Sequence, residues 1–244
     1  MRRTSTAAAL ALLVSAAAAQ APRKPTMISA VDTSYARAIQ SRGDVTAALW
    51  ISQSSQAVYL STSNGLGRDW TPAIRIDAGN ELLKTHPAMG IVGTRVVAMW
   101  AEREQSTSNN LIHWAVFDVS SGQLESARLL ELAGGLAYTC LRFDVDVETV
   151  DESDRFFVYG QVKADDSSTG YGLVLAVSTD AGASFEPAHH IAPPSHGVTV
   201  WAVETTGSTV DVAWKRRERI AHIPPSSVDR VYYARSDAAG APQS

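Results

Sequence analysis

Apolar residues along this chain come in short runs of four to six, set apart by Gly, Ser, Asn and Asp. Val45-Thr46-Ala47-Ala48-Leu49-Trp50, Val96-Val97-Ala98-Met99-Trp100, Phe156-Phe157-Val158-Tyr159 and Val210-Asp211-Val212-Ala213-Trp214 are four such runs. Each ends on an aromatic residue. Their length, their Val, Phe, Trp and Tyr content and the turn residues around them predict strands, and no segment sustains a 3.6-residue helical period. In the second repeat the strands are predicted at Pro87–Val92, Arg95–Ala101, Leu111–Phe117 and Ala127–Leu132. Four antiparallel strands per unit, recurring at even spacing, fit the blades of a propeller better than a sandwich.

A second signal follows each aromatic run. Ser178-Thr179-Asp180-Ala181-Gly182-Ala183-Ser184-Phe185 comes directly after the apolar run Leu173–Val177. Weaker copies begin at Ser63 (with Gly67 and Trp70, but Gly65 in the Asp position), at Asp118 (with Gly122) and at Ser236, near the chain end. These starts lie 55, 60 and 58 residues apart. Downstream, Trp70-Thr71-Pro72-Ala73 matches Phe185-Glu186-Pro187-Ala188. An octapeptide of this composition suits a tight hairpin: Asp accepts hydrogen bonds from turn amides, Gly relaxes the limit on φ, and the aromatic plugs the turn.

This octapeptide resembles the Asp box, or BNR repeat, of sialidase-type β-propellers, and the resemblance extends over the four repeats. The expected fold is therefore all-β: a propeller of about four four-stranded antiparallel blades over residues 26–244, with Asp-box hairpins. The last repeat stops at its box, and Thr26–Val31 is a spare strand that would close the last blade and remove two exposed edges. Sialidases have six blades, which at this repeat length needs roughly 100 more residues.

The first 19 residues carry Arg2-Arg3, an Ala-rich apolar run and Ala17-Ala18-Ala19, the pattern of a secretory signal peptide cleaved after Ala19 or Ala21. The expected location is periplasmic or extracellular. No later run is long enough for a membrane-spanning helix. Cys140 stands alone, so no internal disulfide is expected, and a mature chain of roughly 220 residues buries a sizeable core in one domain. A net charge of −4 argues against general binding of nucleic acid or anionic membranes.

Strand alternation puts the box hairpins at one end of the ring, and the two-to-three loops and inter-blade links at the other. In sialidases the ligand pocket lies at that second end, so the resemblance gives Ser63, Gly67, Trp70, Ser178, Asp180, Gly182 and Phe185 structural roles. The opposite end carries the candidate ligand residues Arg103, Tyr138, Arg142, Lys163, Arg216 and Arg217, with Lys84, His86, Glu102, Gln161 and His196 nearby. Guanidinium and ammonium groups from several blades suit a carboxylate or sulfate. The arginine triad, Tyr nucleophile and Asp acid of a sialidase find no matching motif, so no catalytic residue is assigned. Asp144, Asp146 and Glu148 share one face of a strand, with Val145 and Val147 on the other, and read as a hydrated face. His189 and His190 point to opposite faces of a strand and read as surface histidines. No metal or cofactor is expected. Two readings stand: a non-catalytic module binding a glycan, another anionic small ligand or a protein, and an exo-sialidase-type glycoside hydrolase acting on acidic sugars.

Overall fold

The computed structural model describes residues 34–64, 67–106, 109–133, 138–150, 153–164, 170–193, 197–207, 209–219 and 227–237. Of 34–37, 150, 164, 217–219, 227, 228 and 237 it describes the backbone alone. The described residues are all-β, without a helix, in four antiparallel sheets. Sheet I holds β1 (Ser34–Arg42), β2 (Val45–Ser52), β3 (Val58–Asn64) and β4 (Ile74–Arg75), in that order. Sheet II holds β5 (Lys84–Val92), β6 (Arg95–Arg103) and β7 (Asn110–Asp118), with the two short strands β8 (Gln123–Leu124) and β9 (Arg128–Leu129) both paired to β7. Sheet III holds β10 (Tyr138–Val150), β11 (Ser153–Ala164), β12 (Gly172–Ser178) and β13 (His189–Ala192), and sheet IV holds β14 (Val198–Thr206), β15 (Thr209–Arg219) and β16 (Ser227–Asp237). Thr26–Val31, expected to pair with the last sheet, lies outside the described residues.

Sheets stack face to face through three apolar clusters. Leu49, Ile51 and Leu60 of sheet I meet Ile91, Val96 and Trp100 of sheet II. Val97, Met99 and Trp114 on the other face of sheet II meet Val145, Phe156 and Val158 of sheet III. Phe157, Leu173 and Leu175 then meet Val210, Val212 and Trp214 of sheet IV. Adjacent residues such as Phe156 and Phe157 therefore serve different cores, because successive strand side chains point to opposite faces. The aromatic ending each apolar run lies on the second strand of its sheet. There Trp50 stacks on Tyr59, Trp100 on His113 and Trp214 on Tyr232, at centroid distances of 5.9, 6.2 and 5.7 Å. Tyr159 faces Leu175 across the strands and takes the edge of Trp201 from sheet IV instead.

The box hairpin of sheet III is a clamp between sheets. Asp180 Oδ1 accepts from the Ser178 hydroxyl (2.8 Å) and the Ser184 amide (2.9 Å), and Oδ2 accepts from the Ser184 hydroxyl (2.5 Å). The Ser178 hydroxyl oxygen in turn accepts from the Gly182 amide at 2.9 Å. Burial works to raise the Asp180 carboxyl, but these hydrogen bonds outweigh it and hold the group below its ordinary value. Gly182 has φ +80°, and a Cβ there would stand 2.2 Å from Val97 Cγ2 of sheet II. Phe185 and Trp114 meet in a T-shaped pair at 5.0 Å, and the Arg128 guanidinium lies over that indole at 4.9 Å.

The other copies are weaker in the ways their sequences predict. Where Asp is missing, the Trp70 indole donates to Gly67 O at 3.1 Å, and the buried Ser63 hydroxyl finds no partner among the described residues. Asp118 caps its own turn through the amides of Ser120 and Ser121.

Arg42 supplies a second staple, at the box end of the inner strands. Its guanidinium donates to Ile91 O of sheet II (3.3 Å) and to Thr149 Oγ1 (3.0 Å) and Asp154 Oδ1 (2.9 Å) of sheet III. One side chain thus joins three sheets.

Gly182→Ala should destabilise more than Asp180→Ala. The first meets both a positive φ and Val97, for about 2–4 kcal/mol, and the second loses turn hydrogen bonds, for about 1–2 kcal/mol. Chemical denaturation of both variants checks the order; equal losses would show that the hairpin is not wedged against sheet II.

Candidate functional site

Each inner strand slips register once near its N-terminal end, which faces away from the Asp boxes. The slips fall between Ser34 and Ala36, Thr85 and Ala88, Cys140 and Arg142, and Val198 and Val200. An extra residue on one strand bends it and re-aims the side chains that follow. In β5 the slip contains Pro87, whose missing N–H suits a position without a ladder bond. His86 beside it has φ +52°, a strained value for a residue with a Cβ.

Below these bulges, β1, β5 and β10 enclose a cleft of about 340 Å³. Ile39, Met89 and Phe143 give it an apolar wall, and Gln40, His86 and Asp144 supply polar groups. His86 Nδ1 lies 2.9 Å from Thr85 Oγ1. Burial, and then the positive charge of Arg142, push the imidazole below its ordinary value of 6.5, so it is neutral at pH 7. Asp144 is exposed, and it is the carboxylate lining the cleft among the described residues.

Arg142 does not line this cleft; it lies on the face of β10 that turns toward sheet IV, where its charge still reaches His86. Its guanidinium carbon lies 5.0 Å over the Trp201 ring. Nε and Nη2 are both buried and find no hydrogen-bond partner among the described residues. Across the β10–β11 ladder from Arg142 is Gln161, 2% exposed. Its amide nitrogen donates to Val198 O of sheet IV, while its Oε1 finds no partner among the described residues.

The remaining candidates spread apart. Arg103 is exposed at the end of β6, its amide donating to Leu83 O. Lys163 is half-buried near the end of β11, and Arg216 is half-buried on β15 opposite Val198. The Arg217 side chain and His196 lie outside the described residues. These positions were expected in loops, yet the second strands run on to Arg103, Ala164 and Arg219, so they belong to ladders. Lys215 pairs with Asp229 at 2.6 Å.

Tyr138 is a correction. It is 5% exposed, and its hydroxyl donates to Leu130 O (2.7 Å) and accepts from the Ile112 amide (3.0 Å). Burial raises its phenol well above the ordinary value. The residue ties sheet III to sheet II and presents nothing to a ligand.

Lys84 is a second correction. It is fully buried, with Nζ 3.3 Å from Asp77 Oδ2 and 3.8 Å from Glu102 Oε2, and it donates to Asn80 Oδ1 at 2.6 Å. Trp100 Nε1 and Asn80 Nδ2 also donate to Glu102. Burial works to raise the Asp77 carboxyl, but the Arg75 hydrogen bond and the Lys84 charge outweigh it and hold it low.

Trp201 is the participant that sequence reasoning missed. It sits on β14, away from the four aromatic-ended runs, and nothing local marks it. Asp146, from the carboxylate face, accepts from the Thr205 hydroxyl of sheet IV, while Val145 faces the core.

No family model matches the chain, nor does any curated protein. Among solved structures, an α-L-arabinofuranosidase from Fusarium graminearum in complex with an iminosugar inhibitor is similar over 82% of this chain and 61% of its own, at 14% identity and a TM-score of 0.50. That is a likeness of fold, and this chain spans about three-fifths of that enzyme. An N-acetylgalactosamine deacetylase from F. plautii, in complex with blood group B trisaccharide, covers 80% of this chain and 69% of its own at 12% identity (TM-score 0.45). A GH43 endo-arabinanase from Bacillus licheniformis covers 85% and 96% at 12% identity (TM-score 0.33). Those two scores carry no further argument. The fold is propeller-type.

Replacing Lys84 with Met should cost about 3–5 kcal/mol, because it leaves Glu102 a buried charge without a cation and Asp77 with Arg75 as its one remaining cation. The Lys84→Met, Glu102→Gln double variant should recover part of the loss. Thermal unfolding of both checks this, and a near-neutral single variant would mean that Lys84 is not the charge holding the two acids.

Proposed function

We propose that this is an exported, sialidase-like Asp-box propeller that binds an anionic glycan, without catalysis, at the end opposite the Asp boxes. One observation carries the reading: an open cleft lined by Gln40, His86 and Asp144, with the unpartnered guanidinium edge of Arg142 close enough for its charge to act on His86. A buried guanidinium edge without acceptors is unfavourable, and an anion that supplies them turns that penalty into affinity. The cleft suits a sugar, with apolar walls for its ring faces and Gln40, His86 and Asp144 for its hydroxyls. The Fusarium graminearum fold neighbour is an arabinofuranosidase in complex with an iminosugar inhibitor, which supports a glycan over a protein partner.

A second reading, an exo-sialidase-type glycoside hydrolase, draws on Asp144, an exposed carboxylate in the cleft near His86 and Arg142. Hydrolysis of that type asks for a nucleophile and an acid–base pair around the scissile bond. Asp144 supplies one carboxylate, so binding is preferred. Incubating the mature protein with a fluorogenic sialoside and, in parallel, titrating it with acidic and neutral oligosaccharides separates the two. Binding of acidic sugars without turnover, weakened about tenfold or more by Arg142→Ala, is expected. Turnover lost in Asp144→Asn would instead establish the hydrolase, and indifference to charge would overturn both readings.

The finer fold belongs to the same proposal: four blades, export by residues 1–19, and Thr26–Val31 as the fourth strand of sheet IV. Deleting Thr26–Val31 should lower the melting temperature by several degrees and promote association through the β16 edge. A deletion variant as stable and as monomeric as the parent would sink the closure.

A further inference from the structure

We propose that His86 is the cleft residue that meets the ligand's anionic group, and that strand β5 holds it there under backbone strain. This rests on the binding reading above and adds the residue that carries the contact. Among the described residues, three other than glycine take a positive φ: Gln56 (+52°), His86 (+52°) and Ala181 (+56°). Gln56 and Ala181 lie in connections between strands, the second inside the Asp box. His86 lies within a strand. A residue that precedes proline is pushed toward extended backbone, so Pro87 is a second reason against this φ. At its turn the same hairpin meets the same need with a glycine, Gly93, at φ +55°. Nor does a bulge demand a positive φ, since the extra residues Leu141 of β10 and Thr199 of β14 do without one. Strain that local structure does not require points to a function for the side chain that it presents.

That side chain is exposed and lines the cleft. Thr85 Oγ1, 2.9 Å from Nδ1, steadies the ring and leaves Nε2 for a ligand. Around it, β1 contributes Ile39 and Gln40 to the cleft, and β10 contributes Asp144 and, by its charge alone, Arg142. Asp144 makes no ion pair with the imidazole among the described residues. Burial and the Arg142 charge keep the free ring neutral at pH 7. An anion against the ring offsets that repulsion, so its uptake brings a proton onto the imidazole. The sign follows from linkage. Affinity rises as pH falls through the raised value of the bound form, and levels off below the lowered value of the free form. Sugar carboxylates stay ionised over that range, so the effect belongs to the protein.

The test is calorimetric titration of the full chain with sialyllactose, trigalacturonate and lactose at about pH 7.5 and about pH 5.5, with thermal unfolding of each variant. The acidic sugars are expected to gain about fivefold or more in affinity at the lower pH, with proton uptake read from buffers of different ionisation enthalpy. His86→Gly frees the backbone and removes the ring. It should be at least as stable as the parent and bind the acidic sugars about tenfold or more weakly. His86→Asn tolerates the same φ and cannot take the proton, so it should lose the gain at low pH. A His86→Gly variant that binds as tightly as the parent overturns the contact while the anionic-glycan reading stands. One that is less stable than the parent overturns the strain and makes the imidazole a structural support. A low-pH gain that survives in His86→Asn overturns the proton coupling. Lactose bound as tightly as the acidic sugars, or no binding of either acidic sugar, overturns this inference and the proposed function together.

Discussion

The constraint on which the rest depends is that a sheet apolar on both faces must be covered on both. Strand β2 is buried at all eight positions and β12 at all seven, where a strand with one wet face would alternate. Each core is accordingly shared: sheet II supplies Val96 and Ala98 to one neighbour and Val97 and Met99 to the other. No sheet is stable by itself, so the sheets stack around their inner strands. The bulged ends of those strands then converge, and a cleft forms where main-chain ladders stop and side chains take over.

That constraint also explains what was legible in the sequence. A strand buried on both faces reads as a short continuous apolar run, and the runs ending in Trp50, Trp100, Tyr159 and Trp214 mark the second strands. The box octapeptide was legible because its hydrogen bonds are local: Ser178, Asp180 and Ser184 satisfy one another within a turn. In the second repeat the predicted starts and ends fell within a few residues of β5, β6 and β7. The misjudged boundary was the loop end, where Arg103, Lys163 and Arg216 lie in strands that outrun their apolar cores.

The site was legible only in part. Arg142 stood out as a basic residue in an acidic chain, but its importance comes from Trp201, which a whole sheet separates from it in sequence. Tyr138 and Lys84 looked like rim residues because Tyr and Lys often are. Their partners, Leu130 and Ile112 for one and Asp77, Asn80 and Glu102 for the other, come from tertiary packing that no spacing announces. At Lys84 and Arg42 charged groups hold sheets together, and both donate several hydrogen bonds. Arg142 differs from them in having two nitrogens unsatisfied among the described residues.

Among the described residues sheet IV is held by a single interface, the one with sheet III, while Val231 and Tyr233 on its other face are 78% and 62% exposed. In a stack secured by nearest neighbours, an end member with one covered face opens at the lowest free energy. Trp201, which props the Arg142 guanidinium, and Val198, which holds the Gln161 amide, both belong to that sheet. The proposed recognition surface is therefore hinged, among the described residues, on the least-anchored sheet. Any agent that unseats sheet IV would erase it long before the remaining three sheets melt.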